Sequence, residues 1–219
     1  MMNLPAVTEV LKLFSPIGGF ITAYILGSIP EAWLLARWII GDDLRKVGSG
    51  NVGVMNTAVS VTRWAGLLVF LVEIIKGSLA VSIPRLLGAG DLTICLCVVA
   101  VVIGVRWPIW LGFKGGRANT AGMAAFALIS PIALLISLSV WIMARLCLKD
   151  SFNSTRVTLF SLPLIFGLVT QSWWFGLTGM LLSLVYLSAQ QPKSDDHQII
   201  KQHWTSFLKF LTSPPRRNI

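Results

Sequence analysis

Long apolar runs constrain the fold of this chain more than any other feature. They begin near residues 16, 64, 92, 120 and 157, and a helix of about 20 apolar residues crosses a bilayer. The chain is 55% hydrophobic and only 12% charged, whereas a soluble domain has about 25% charged residues. The sequence therefore predicts an all-α integral membrane protein.

The last two apolar runs are each too long for one comfortable helix. Residues 120–147 contain a Ser130–Pro131 break, and residues 157–189 are interrupted by the segment QSWW at 171–174. Tryptophans are typical of a membrane interface, so this interruption is expected at the edge of the bilayer. In the first run, Pro30 is predicted to kink the helix.

Basic residues set the predicted orientation. They cluster in three loops and in the tail, at Arg45, Lys46 and Arg63, at Arg106, Lys114 and Arg117, at Arg145, Lys149 and Arg156, and beyond residue 192. The positive-inside tendency places all four clusters in the cytoplasm, which is possible only if both long runs cross twice. We therefore expect seven transmembrane helices, with the N-terminus outside and the C-terminus cytoplasmic. The helix at 120–130 is then short, and we expect it to be tilted or shielded by protein.

The domain organisation is simple, because no polar linker divides the apolar runs. Residues 1–192 are predicted to form one multi-helix membrane domain, and residues 193–219 a polar, basic cytoplasmic tail. The formal charge of +9 is not on a soluble domain that could bind nucleic acid. It indicates contact with the anionic headgroups of the lipid bilayer, a phosphorylated substrate, or both. The oligomeric state is left open.

Metal and cofactor motifs are absent from the sequence. There is no HExxH or CxxC pattern, the three cysteines lie in apolar stretches, and the two histidines, His197 and His203, fall in the tail. We therefore expect no metal, no cofactor and no histidine–carboxylate catalytic base.

A glycine-rich loop, VGSGNVGVMN at residues 47–56, stands out in so apolar a chain. Glycines allow successive backbone N–H groups to face one point and bind an anion, and Ser49 and Asn51 add side-chain donors. The alternative is a tight turn held by local side-chain hydrogen bonds. A P-loop is excluded because no G-K-[ST] follows.

A second glycine pair lies in the segment FKGGR at residues 113–117. Lys114 and Arg117 flank Gly115 and Gly116, an arrangement that suits the clamping of phosphate oxygens. The alternative is a juxtamembrane cluster that only sets orientation. Since both glycine loops fall on the same predicted cytoplasmic face, we expect them to converge on one anion site.

Charged residues inside the apolar runs are the third feature. Glu73 and Lys76 lie three positions apart on one helix face. Either Lys76 reaches a phosphate with Glu73 orienting it, or the two form a self-neutralising pair. Glu31, directly after Pro30, is expected to need a partner, because ionisable groups are costly at membrane depth.

Taken in order, these segments resemble a known family. YILGSIP, then GSGNVGVMN, then KG at residues 76–77, then GVRWPIWLGFKGGRANT resemble motifs of the bacterial acyl-phosphate–glycerol-3-phosphate acyltransferases, the PlsY family. The resemblance covers roughly residues 24–122 and implies a seven-helix enzyme of the bacterial inner membrane with a cytoplasmic active site. It implies acyl transfer from acyl phosphate to the 1-hydroxyl of glycerol 3-phosphate, giving lysophosphatidic acid and phosphate for phospholipid biosynthesis.

The resemblance also assigns roles to matching residues. It implies catalytic roles for Ser49, Asn51 and Lys114. It implies substrate phosphate binding by Arg117, which stands where the family usually has lysine, and by Gly48, Gly50, Gly53, Asn56, Lys76, Gly77, Gly115 and Gly116.

Several positions depart from the family pattern. Val105 stands where the family has histidine, Val59 where it has arginine, and the C-terminal R-H-x-x-N-I pattern is replaced by SAQQPKSDDHQII. Arg45, Arg63 and Arg106 are the candidates to compensate. The alternative function is a paralogue that no longer catalyses and binds a phosphorylated lipid or a partner subunit.

Overall fold

The computed structural model describes residues 15–190, and this part of the chain folds entirely into helices and connecting loops. The helices are α1 Pro16–Ser28, α2 Glu31–Ile40, α3 Val54–Ser60, α4 Arg63–Leu86, α5 Asp91–Arg106, α6 Asn119–Ile129, α7 Pro131–Leu148, α8 Ser151–Thr170 and α9 Trp173–Ala189. Short 3-10 turns lie at Leu44–Lys46 and Ile109–Leu111. The predicted tail at 193–219, with His197 and His203, lies outside the described residues.

Five helical segments in the described residues are long and apolar enough to cross a membrane. They are Pro16–Ile40, Arg63–Leu86, Asp91–Leu111, Pro131–Leu148 and Ser151–Thr170, while α6 and α9 are shorter apolar helices. Large apolar side chains cover the outside of α7, such as Leu135 at 62% exposure and Leu146 at 68%. An apolar exterior of this kind suits a lipid environment, so the prediction of an all-helical membrane protein is confirmed.

Both long apolar runs divide into two helices, as the sequence predicts. Ser130 ends α6 and caps α7, its hydroxyl accepting the backbone N–H of Ala133 at 3.2 Å. Gln171 adopts a left-handed conformation (φ 53°) and ends α8 two residues before α9 begins. One helix therefore ends and another begins at each predicted interruption.

The sequence predicts a kinked helix at Pro30, whereas the structure has two separate helices on either side of it. Helix α1 ends at Ser28, Ile29 is extended (φ −61°, ψ 117°), and α2 begins at Glu31. Proline has no N–H to donate and its ring clashes with the preceding turn, so continuing the helix is unfavourable. The break leaves the Ile29 carbonyl without a helical partner.

Helix α5 is the centre of the bundle. Its valines at 98, 101 and 102 are fully buried, and its backbone lies directly against that of α1. A Cβ on Gly27 would lie 2.2 Å from the Val101 carbonyl oxygen, and one on Gly104 would lie 2.4 Å from that of Tyr24. This close packing fixes the relative position of the α1–α2 break and the loop that follows α5.

Candidate functional site

Asn56 organises the first glycine loop from within the protein. It is 1% exposed, and its side-chain oxygen accepts the N–H of Ser49 at 3.1 Å. Its side-chain amide donates to three backbone carbonyls, those of Leu44 at 3.2 Å, Val47 at 3.1 Å and Asn51 at 2.9 Å. Asn56 therefore holds the loop in shape, and its polar atoms are committed to that task instead of facing a ligand.

The backbone amides of this loop are also paired within the loop. The N–H of Gly50 donates to the Val47 carbonyl at 3.1 Å and that of Gly53 to the Asn51 carbonyl at 3.1 Å. The Asn51 N–H donates to the Ser49 hydroxyl oxygen at 3.4 Å. These hydrogen bonds fit the tight turn that is held by local contacts, and they do not fit a set of backbone N–H groups that face an anion. The groups of this loop that could contact a ligand are therefore the side chains of Ser49 and Asn51, which are both half-buried.

The second glycine loop is held by the end of α5. Gly115 donates its N–H to the Arg106 carbonyl at 3.2 Å, and Gly116 donates to that of Val105 at 3.1 Å. Their amides are therefore not directed at a phosphate. On either side of these two glycines, the loop presents an exposed Lys114 and a half-buried Arg117.

The two glycine loops meet, as the sequence analysis expected. A Cβ on Gly116 would lie 2.0 Å from the Val52 carbonyl oxygen and 3.8 Å from the Asn51 side-chain oxygen. Glycine is required at 116 because any larger residue would push the loops apart. Arg45 adds a tie by donating to the Leu111 carbonyl at 3.1 Å.

Arg45 is further held by Asp43. Its guanidinium donates to the Asp43 carboxylate at 2.7–3.2 Å. These hydrogen bonds hold the pKa of Asp43 well below its usual range and raise that of Arg45. Arg45, one of the three candidate compensating residues, is thus engaged in fixing the loops.

The other two candidate arginines lie at helix ends. Arg63 is the first residue of α4 and is half-buried. Arg106 donates to the Ser188 carbonyl of α9 at 3.1 Å, and its guanidinium lies 5.5 Å from the Trp107 ring centroid. The structure therefore places Arg106 between the ends of α5 and α9.

A buried charged cluster lies beneath the two loops. The ammonium of Lys76 forms an ion pair with Glu31 and donates to the Ile29 carbonyl at 2.6 Å. Glu73 is 4% exposed and faces Thr120 and the backbone of Ala121 at the start of α6. The self-neutralising Glu73–Lys76 pair is thus replaced by a Glu31–Lys76 pair, which gives Glu31 the partner it was expected to need.

This cluster lines a narrow cavity of about 10 Å³, room for about one water molecule. The cavity wall joins the α1–α2 break, the two glycine loops and α4, through Gly27, Ile29, Pro30, Glu31, Ala32, Val52, Glu73, Lys76, Val105, Pro108, Leu111 and Gly115. Gly77 keeps α6 close, since a Cβ there would lie 2.0 Å from the Ala121 carbonyl oxygen. Residues of all the sequence motifs therefore meet at one place.

The sequence did not show that two residues, Glu31 and Thr120, belong to this buried cluster. Glu31 lies 45 positions from Lys76, and its only signal is an acid inside an apolar run. Thr120 gave no signal at all. Among residues 15–190, no group of three histidine, cysteine, aspartate or glutamate side chains could hold a metal ion.

Fold and site together define a multi-pass helical membrane protein with a polar site formed by two interlocked glycine loops. The sequence pattern of the glycerol-3-phosphate acyltransferase family matches residues 17–194, and the chain belongs to that family. It is 35% identical over 152 residues to the glycerol-3-phosphate acyltransferase of Desulforamulus reducens, covering 69% of this chain and 76% of that one. It is 37% identical over 169 residues to glycerol-3-phosphate acyltransferase 1 of Dehalococcoides mccartyi, covering 74% and 81%.

A solved structure has the same fold. This is the crystal structure of PlsY, an integral membrane glycerol 3-phosphate acyltransferase, in its glycerol 3-phosphate form. It superposes with a TM-score of 0.69 over 90% of this chain and 99% of that one, at 24% identity.

Proposed function

We propose that this protein is a membrane glycerol-3-phosphate acyltransferase of phospholipid biosynthesis. It transfers a fatty acyl group from acyl phosphate to the 1-hydroxyl of glycerol 3-phosphate, giving lysophosphatidic acid and phosphate. Membership of the family supports this function. The observation that carries it is the contact of Gly116 with Val52 above the cavity lined by Lys76, which brings together motifs far apart in the chain.

The ligands of the substrate phosphates are the polar side chains at the rim of the loops. Lys114 and Arg117 supply positive charge, and Ser49 and Asn51 supply hydrogen-bond donors from the facing loop. Arg63 and Arg106 add charge at the neighbouring helix ends. The motif glycines and Asn56 contribute shape, since the contacts and hydrogen bonds described above occupy them. Both substrates carry phosphate, so a cationic rim suits donor and acceptor alike.

The acyl transfer needs few protein groups besides these cations and hydrogen-bond donors. The acceptor oxygen forms a bond to the acyl carbon while the bond from that carbon to the phosphate oxygen breaks, and phosphate departs. Cations held at the departing phosphate stabilise the charge that develops there. The hydroxyl proton passes to a substrate phosphate oxygen, so no protein base and no cofactor is required.

The membrane arrangement we propose has seven crossings, with the N-terminus outside and the C-terminus and active site in the cytoplasm of a bacterial cell, at the inner membrane. The five long segments and α9 cross the bilayer. Helix α6 has 11 residues and is about 16 Å long, about half of a 30 Å hydrocarbon core. It is supported at this depth by packing of Ala121, Gly122, Ala125 and Phe126, which are all buried.

Orientation is testable with single cysteines on opposite predicted sides. In a Cys147→Ser background, Gly90→Cys lies between α4 and α5 in open space, and Asn153→Cys lies on the exposed first turn of α8. A membrane-impermeant maleimide applied to intact cells should label position 90 and leave position 153 unlabelled until the cells are opened. The reverse pattern would invert the topology.

Activity is tested with purified protein in lipid discs supplied with palmitoyl phosphate, with and without glycerol 3-phosphate. We expect phosphate release that requires the acceptor and accompanies formation of lysophosphatidic acid. A folded sample that releases no phosphate would refute the proposal and favour the non-catalytic, phospholipid-binding or subunit-binding paralogue.

A further inference from the structure

The break between α1 and α2 forms a site that holds the ammonium group of Lys76, a side chain of α4. The Ile29 carbonyl points away from any helical partner and accepts a hydrogen bond from the Lys76 ammonium at 2.6 Å. Glu31, the first residue of α2, forms an ion pair with the same ammonium. The Lys76 side chain is 3% exposed and that of Glu31 is 13% exposed. One lysine of α4 thus joins both sides of the break.

The surroundings of Lys76 are unfavourable for a phosphate. Glu73 lies one helical turn away on α4 and also faces the cavity, so two carboxylates accompany one ammonium. The other cavity-lining residues, contributed by α1, α2, α5 and the loops, are uncharged: Gly27, Ile29, Pro30, Ala32, Val52, Val105, Pro108, Leu111 and Gly115. A phosphate dianion there would meet two acidic side chains beside a single ammonium that is already paired, in a space that holds about one water molecule.

We propose that Glu31 and Lys76 act as one unit that positions the substrate site from below, and that Lys76 does not bind the acceptor phosphate. Glu31 is then a positioning residue, which acts through Lys76 on the two glycine loops, since Val52 and Gly115 of these loops line the same cavity. This inference rests on the proposed function for its kinetic readout. It assigns different roles to Lys76, which is buried, and to Lys114, whose side chain is exposed.

A double-mutant cycle distinguishes the two roles of Lys76. Lys76→Met alone leaves Glu31 and Glu73 without their cation, and Glu31→Gln alone leaves the Lys76 ammonium without its ion-pair partner. Both single variants should impair the protein. If Lys76 only positions the site, the double variant Glu31→Gln/Lys76→Met should bring the KM for glycerol 3-phosphate back to within about threefold of wild type. If Lys76 binds phosphate, the double variant should keep a KM raised roughly tenfold or more.

The matched control combines Glu31→Gln with Lys114→Met at the rim. Here we expect no recovery, because Lys114 is proposed to contact substrate and has no link to Glu31. Recovery in this control, or none in the Glu31–Lys76 pair, would overturn the proposal.

Thermal unfolding in detergent of wild type, Glu31→Gln, Lys76→Met and the double variant gives a readout independent of catalysis. The double variant should unfold at a higher temperature than Lys76→Met alone, whereas additive losses would overturn the proposed unit. If wild type shows no turnover, the proposed function fails while the unfolding temperatures still decide whether the pair acts as one unit.

Discussion

The side-chain oxygen of Asn56 accepts the backbone N–H of Ser49 at 3.1 Å across seven residues of chain. This bond, with the three that the Asn56 amide donates to loop carbonyls, gives the glycine loop its shape. Ser49 is therefore placed by a buried residue whose own polar side-chain atoms are bonded inside the protein.

Asn56→Asp should disrupt this arrangement with almost no change in volume. The aspartate has no amide protons, so its carboxylate would face three carbonyl oxygens, at a cost of roughly 3 kcal/mol. We expect a lower unfolding temperature in detergent and a large loss of kcat/KM. Asn153→Asp, on the exposed first turn of α8, is the matched control and should behave as wild type. Turnover of Asn56→Asp within twofold of wild type would contradict this role.

Gly116→Ala tests the contact between the two loops. The added Cβ would lie 2.0 Å from the Val52 carbonyl oxygen, so the loops must separate. We expect the KM for glycerol 3-phosphate to rise by about tenfold or more. Gly167→Ala in α8 is the control, because its Cβ would meet its nearest neighbour at an ordinary 3.5 Å. Equal kinetics for the two variants would show that the loop contact is unimportant.

Lys114→Ala and Ser49→Ala test whether both loops contribute to one phosphate site. Each variant removes one contact to a charged group, worth about 1.5–3 kcal/mol, so the KM for glycerol 3-phosphate should rise roughly 10–100-fold. Unfolding temperatures should remain near wild type. Arg145→Ala, in the last turn of α7, removes the same charge elsewhere and should leave KM unchanged. Unchanged KM for both loop variants would refute the shared site.

The Asp43–Arg45 pair predicts a dependence of stability on pH. Because the folded-state pKa of Asp43 is lowered, its stabilising effect is present above the unfolded pKa of about 3.9 and is lost as pH falls through the lower folded value. Asp43→Asn should therefore cost on the order of 1 kcal/mol at pH 7 and at pH 5. The difference in unfolding temperature from wild type should shrink below about pH 4. A difference that does not change from pH 7 to pH 3 would contradict the role of this pair.

Much of the fold follows from local sequence properties. Apolar runs indicated the helices, and the breaks at Ser130–Pro131 and Gln171 divided the last two runs into four helices, α6 to α9. Pro30 correctly indicated that the first helix is irregular at this position. Whether the helix only bends or breaks completely depends on the residues packed around it. A kink was predicted, whereas the Lys76 ammonium satisfies the carbonyl that a complete break exposes. The crossing count and orientation remain predictions.

The sequence predicted which segments form the candidate site better than it predicted what each residue does there. Glycines, cations and spacing indicated which segments matter, because these residue types suit phosphate and close backbone approach. The roles of Asn56, Gly115 and Gly116 changed, since the structure gives their polar groups partners inside the protein. A sequence contains the donors and acceptors but not their pairing.

The sequence by itself determined the all-helical membrane character, the helix breaks and the family, because these depend on hydropathy, on local backbone preference and on ordered motifs along the chain. Only the tertiary structure decided that Lys76 pairs with Glu31 instead of Glu73, and that Gly116 lies against Val52. These relationships join residues distant in sequence. They are set by how closely α1, α4 and α5 and their loops can pack, and nothing in the local sequence encodes that distance.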